Sequence, residues 1–393
     1  MSEYFVENRT MSVLADQARR ISGGTNVLNG AEILETLSKV QGSVAEGSKY
    51  IVKAVGADNE TIIKSGTYDK GMIFALPTPL DFDFNFDIDN CTFREWIAPV
   101  DTTGNFITVE HPTTAAPSYM VDADIAIKVH VKENNAQVTL DYHNYPKTID
   151  WGDGVIEERS GGVPTHIYSI SGRYDIKIYG GRNDIYQVHE DTSGLYEFNS
   201  ISINGETIPT VSLGVLCDIP NLYDITLGYG VTEIAYDSSD NTKAQLQHVI
   251  LPSTIKTIGQ FAFANSSLNN IILPYGLETI GTGAFNNTNI RSVVIPETVT
   301  TCCNFYDCSN LRTVIVKTGS INAFPCFQNC TYLENIVITY NGGVIPNNMG
   351  TGILSNSGIN NLYVPDELVS SYKSALNWSF LDNYIKPLSE YTE

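Results

Sequence analysis

The residues best suited to chemistry fall in three places. The stretch DFDFNFDIDN (81–90) puts Asp81, Asp83, Asn85, Asp87 and Asp89 in alternation with Phe82, Phe84, Phe86 and Ile88. A period of two means a strand with one apolar and one acidic face. A carboxylate row can bind Ca²⁺, which takes oxygen ligands. A Ca²⁺ loop, however, curls its ligands around the ion, whereas a straight strand spreads alternate carboxylates about 6–7 Å apart. A solvated acidic face is therefore the first reading and a Ca²⁺ site the second. Five cysteines lie between 302 and 330 (Cys302, Cys303, Cys308, Cys326, Cys330). They raise the question of zinc, but their spacing follows the repeat described below, with Cys308 and Cys330 each three residues before a leading Leu, where Asn265 and Asn287 stand in other repeats. Small buried packing positions are the expectation, and the odd total of seven argues against a disulfide framework. The third place is the WGDG turn with Asp153, followed by His166.

No P-loop, G-x-S-x-G or H-E-x-x-H occurs, and the six histidines are scattered. A glycan-degrading enzyme would need a carboxylate pair at a set separation, and nothing in the sequence singles one out. The expectation is a non-enzymatic protein with no catalytic residue, metal or cofactor. The 393 residues hold 23 Lys+Arg against 44 Asp+Glu, a formal charge of −21. Phosphate contacts need clustered cations, so nucleic acid is not an expected partner. No apolar run reaches the ~18 residues of a membrane helix, and the first residues lack the basic and apolar regions of a signal peptide. Membrane insertion is not expected.

Four segments must position these residues. Residues 1–45 read as a helical docking segment. Leu14, Ala18 and Ile21 share one helical face, and Ile33, Leu34 and Leu37 form a second stripe. Each helix is about ten residues and cannot bury a core alone. The stripes need a partner: the following domain, sister copies or another protein. Part of the segment, VLADQARRISGGTNVLNGAEILETLSKV, resembles a short segment near the start of structural proteins of tailed phages of gut bacteria, with Gln17 and Ile21 departing from it. Residues 46–120 read as β-rich.

Residues 121–181 carry alternating segments (IAIKVHV, AQVTLDY), then TIDWGDGVIEE and THIYSISGRYDIKIYG. Trp151 reads as a core anchor, Gly152–Asp153–Gly154 as a tight turn, and Tyr174, Ile176 and Ile178 as inward-facing. The WGDG turn, H-x-Y and G-x-Y-x-I-x-I resemble a PKD-type, immunoglobulin-like sandwich. On either reading Asp153 is structural, and His166 belongs to the same fold.

Within residues 182–393 the chain repeats from about residue 198. The leading positions Leu246, Leu268, Ile290, Leu311 and Leu333 are 22, 22, 21 and 22 residues apart, with looser copies at Leu222 and Ile359. A period of 20–29 with L-x-x-V-x-L is a leucine-rich solenoid, in which stacking builds a continuous core. Its IP…I..IG..AF flavour resembles the BspA-type repeat, common on bacterial surfaces and in some phage proteins. In each strand the third and fifth positions should face out. The third row is polar, including His248 and Asn270. The fifth row is apolar: Ile250, Ile272, Val294, Ile315, Val337 and Tyr363. An exposed apolar stripe marks an interface, so these eight residues form the candidate binding surface. The alternatives are β-branched preference in a parallel ladder or cover by another domain. The tail (VPDELVSSYKSALNWSFLDNYIKPL) reads as a helical cap, with Asp366 as its N-cap.

The expected fold is mostly β and multidomain: short N-terminal helices, a β region, an immunoglobulin/PKD-like sandwich, and a capped leucine-rich solenoid over 182–393. The resemblances imply a phage virion protein, a tail or head fibre or decoration protein. Its N-terminus would contact other virion proteins, it would form a homo-oligomer such as a trimer, and its solenoid would meet a host protein or glycan. The alternative they imply is a bacterial cell-surface adhesin of BspA type.

Overall fold

The computed structural model describes residues 49–55, 62–69, 73–76, 91–100, 102, 106–108, 113–140, 147–180, 194–213, 219, 221–236, 245–302, 305–319, 327–340, 356–375 and 378–391. The expected N-terminal helices, with Leu14, Ala18, Ile21, Ile33, Leu34 and Leu37, lie outside the described residues. So does the acidic strand 81–90.

The first unit is a four-stranded sheet in the order Ile62–Asp69, Lys49–Val55, Thr113–Val121, Cys91–Ile97, with one parallel pair between the middle two strands. Its side chains alternate between two cores, as a pleated strand requires. Val52, Ala54, Trp96 and Ala115 join Phe74 and Ile107 of a short two-stranded antiparallel pair in a small cluster. Val55, Ile97 and Ala116 turn the other way and join the main core of the solenoid. That two-sided burial explains why Thr113–Val121 is almost wholly buried.

Residues 125–180 form two facing layers. One carries strands Ile156–Glu158, Thr148–Asp150, Gly172–Tyr179 and Ile125–Val131; the other pairs Ala136–Thr139 with Thr165–Tyr168. Trp151, Tyr168, Ile127, Val138, Ile176 and Ile178 fill the space between.

The next strand, Tyr196–Ile203, belongs to both neighbours. It pairs antiparallel with Ile125–Val131 and parallel with Asp224–Leu227 of the solenoid. A bulge between Phe198 and Ser200 shifts its register. Before the bulge the buried side chains are Tyr196 and Phe198; after it they are Ile201 and Ile203. The extra residue shifts the sequence parity, so that all four stay on the face of their partners Val131, Val129, Ile127 and Ile125, in one continuous core. The layered unit and the solenoid share one seven-stranded sheet instead of meeting at a linker.

The solenoid has about six turns. Leu246, Leu268, Ile290, Leu311 and Leu333 are buried, as are the fourth and sixth residues of each turn, for example Val249 and Leu251. Front strands Ser292–Ile295, Thr313–Val316, Asn335–Ile338, Asn361–Val364 and Ile385–Pro387 form one parallel sheet. A second wall stacks Thr210–Val211, Glu233–Ile234, Thr257–Ile258, Thr279–Ile280 and Thr301–Cys302. Behind it Phe263, Phe285, Phe305 and Phe327 stack in file, their centroids 5.5, 5.4 and 5.7 Å apart. Each repeat then turns through a left-handed residue: Asn265, Asn287, Asp307, Asn329 and Asn356 have φ of 54–62°. Asn and Asp tolerate this region because their short polar side chains bond locally. Here they bond along the stack: Asn287 Nδ2 donates to Asn265 Oδ1 (3.1 Å) and Asn329 Nδ2 to Asp307 Oδ1 (2.7 Å). Gly281 is needed for close approach, since a Cβ there would lie 2.5 Å from the Gln260 nitrogen.

This ladder corrects the register assigned to the cysteines. Asp307 and Asn329, not Cys308 and Cys330, occupy the Asn265 and Asn287 position. The turns before Leu311 and Leu333 are one residue longer, so counting back from the leading Leu slips by one. Cys308 and Cys330 instead follow Ser266 and Thr288 in a fully buried row of small polar groups bonded to backbone carbonyls of the Phe file. Both are free thiols.

Val369–Ser374 is the cap helix, preceded by the 3₁₀ turn Asp366–Leu368. Tyr372, Trp378, Leu381 and Ile385 are buried against the last turn. Asp366 does not cap the helix as the sequence predicts. Pro365 starts a 3₁₀ turn there, and the Asp366 carboxylate instead accepts the Ser389 N–H at 2.9 Å, fastening the tail.

Candidate binding surface of the solenoid

The third-position row forms as expected and is bonded along the stack. His248 Nδ1 and Asp224 Oδ1 are 2.8 Å apart on paired residues of adjacent strands. Asn361 Nδ2 donates to Asn335 Oδ1 (2.7 Å), and Lys386 Nζ donates to Asn361 Oδ1 (2.6 Å). His248 and Asn270 are half-buried.

The fifth-position row also forms, but it is not the open stripe that the sequence predicts. Ile250, Ile272, Ile315, Val337 and Tyr363 are only 6%, 8%, 4%, 1% and 9% exposed, and Val294 is half-buried. Two covers account for this. At the C-terminal end Leu388 and Tyr391 pack over Ile315, Val337 and Tyr363, with the Tyr363 and Tyr391 rings 5.1 Å apart. Burial, and then the nearby Glu390 carboxylate, push the Tyr363 phenol up. At the other end the N-terminal sheet lies against the front. Tyr275 N–H donates to Ala98 O (2.7 Å), Tyr229 N–H to Tyr119 O (2.8 Å), and Ser253 Oγ bonds Glu95. The Arg94 guanidinium sits 4.0 Å over the Tyr229 ring.

Between the two covers a cleft of about 350 Å³ remains. Asn269, Asn270, Ile272, Arg291, Ser292 and Val294 of the solenoid line it on one side, and Lys53, Ile62, Pro99 and Thr114 of the N-terminal unit on the other. Residues 270–273 make no ladder with either neighbouring front strand, so the front sheet is interrupted at this turn. Sequence reasoning found Ile272, Val294 and Asn270 here but missed Lys53 and Arg291. Arg291 directly follows a leading residue and was in view, whereas Lys53 carries no periodic signal.

The WGDG turn is a second polar centre. Asp153 Oδ1 accepts the Val155 N–H (3.1 Å), and Asp153 Oδ2 lies 2.8 Å from His166 Nε2. His166 stacks on Trp151 at 5.0 Å, and the Tyr168 hydroxyl donates to Trp151 O (2.7 Å). Burial works to raise the Asp153 carboxyl, but the His166 and Val155 bonds outweigh it and hold it below the ordinary range. Every group here fixes a turn or a ring. Among the described residues no group of three or more His, Cys, Asp or Glu is placed to hold a metal, and no helix is long and apolar enough to cross a membrane.

A family model described as "BspA type Leucine rich repeat region" matches six copies, over residues 193–312 and 302–385. The C-terminal half of the chain carries BspA-type leucine-rich repeats. The match takes in the junction strand and ends within the cap, so the BspA-type region begins on the sheet it shares with the layered unit. No curated protein matches the chain. Among solved structures, a leucine-rich repeat protein from Bacteroides ovatus ATCC 8483 is 19% identical at a TM-score of 0.29, covering 45% of this chain and 56% of that one. The pneumococcal vaccine antigen PcpA is 15% identical at 0.28, covering 52% and 43%. A leucine rich cell surface protein from Faecalibacterium prausnitzii A2-165 is 15% identical at 0.19, covering 53% and 83%. The chain thus spans about half the length of the first two.

Proposed function

We propose that the protein is a non-enzymatic, surface-displayed adhesin whose BspA-type solenoid presents a binding face to a host protein or glycan. The observation that carries this is the stack of six BspA-type copies, closed by its own cap and built around an apolar core. A repeat stack of this kind makes an extended rigid surface, which suits recognition. The polar centres described are spent on turns and ladders, which fits a protein that binds rather than turns over a substrate. Residues 125–180, two facing layers around Trp151 and Tyr168, are read as a PKD-type spacer.

The resemblance that points to a virion lies in residues 13–40, which neither the family match nor the described residues include, and the repeats support the cell-surface reading better. Attachment and self-association are assigned to residues 1–45, through Leu14, Ala18, Ile21, Ile33, Leu34 and Leu37, with an envelope component or sister copies as partner. The test is adhesion. Beads coated with the full chain should be retained on cultured epithelial layers well above beads coated with an unrelated protein of equal charge. Equal retention would overturn the proposal.

A further inference from the structure

We propose that the cleft between the N-terminal sheet and the second and third full turns of the solenoid binds an acidic sugar residue. The inference rests on the adhesin reading and names the chemistry that one site would recognise. The cleft has the size of a small ligand pocket, about 350 Å³ against a usual ~300–1,000 Å³. Its lining is unlike the rest of the surface. The chain carries 44 carboxylate residues against 23 Lys and Arg, yet among the described residues the cleft is lined by Lys53 and Arg291 and by no Asp or Glu.

The polar groups are of the types a pyranose acid needs. Arg291 offers a planar fork that matches a carboxylate in two parallel bonds, and Lys53 offers a point charge. Asn269, Asn270, Thr114 and Ser292 supply both donors and acceptors for ring hydroxyls. Ile62 is 55% exposed and, with Pro99, Ile272 and Val294, gives an apolar wall for the ring's C–H face.

The experiment titrates the full chain with glucuronic acid and with glucose, which differ only in the carboxylate, followed by protein-observed NMR. A third arm uses a short Glu-rich peptide, an acidic ligand without a sugar ring. Binding of glucuronate at least about tenfold tighter than of glucose or the peptide is expected, with R291Q and K53Q each weakening it about tenfold or more. Arg291 is exposed and Lys53 half-buried, so the variants should keep the parent melting temperature, which is measured alongside. No saturable glucuronate binding, equal binding of glucose, tighter binding of the peptide, or binding unchanged in R291Q would each overturn the inference. Bead adhesion that survives R291Q and K53Q would sink this site while leaving the adhesin reading in place. Loss of all bead adhesion with glucuronate binding intact would do the reverse.

Discussion

The Asp153–His166 contact shows how a residue suited to chemistry can be absorbed by structure. Asp153 closes the WGDG turn and holds His166 flat against Trp151. D153N keeps the shape but loses the charged acceptor, and should cost about 1–2 kcal/mol in chemical denaturation. The pH dependence follows from direction. Asp153 and Asp366 are both held below the ordinary aspartate range in the folded protein, Asp366 chiefly through the Ser389 bond. A depressed folded pKa adds stability above the unfolded pKa, and that stability is lost as pH falls through the folded value. Melting temperature should therefore drop as pH is lowered below about 4, and less steeply in D153N. The structural role of Asp153 was legible because the turn motif itself demands it. The identity of the ladder residues was not. Counting back from Leu311 and Leu333 hid an added residue, and only the backbone φ of Asp307 and Asn329 reveals the true register.

At the scale of elements, the solenoid was legible because its period repeats the same burial in every turn. The Phe file obeys that period, and truncating one rung leaves a cavity flanked by stacked rings. F285A should destabilise by about 3–5 kcal/mol, read from urea midpoints. The junction strand was illegible, because a single bulge carries its information. Deleting Asn199 would remove the unpaired residue and leave Tyr196, Phe198, Ile201 and Ile203 on the face they already share, in the same pairing with Ile125–Val131. The deletion should therefore keep close to the parent melting temperature. A collapsed melting curve for this deletion would contradict that account.

At the scale of the molecule, the apolar row was read correctly as a row and wrongly as open. Its covers come from the strands of the N-terminal sheet and from residues 388–391, whose contacts with the row leave no periodic mark in the sequence. Truncation after Pro387 should uncover Ile315, Val337 and Tyr363. The truncated protein should bind a hydrophobic dye that the full chain does not, and retained dye exclusion would show that the tail is not the cover. What both covers leave open is the cleft at Ile272 and Val294, where the recognition proposal is concentrated. The central claim, display at a cell surface, is tested most directly by gold-labelled antibody electron microscopy on a culture of the source organism. The account predicts label spread over intact cell envelopes. Label confined to one fixed place on phage particles, with envelopes bare, would contradict it and restore the virion reading.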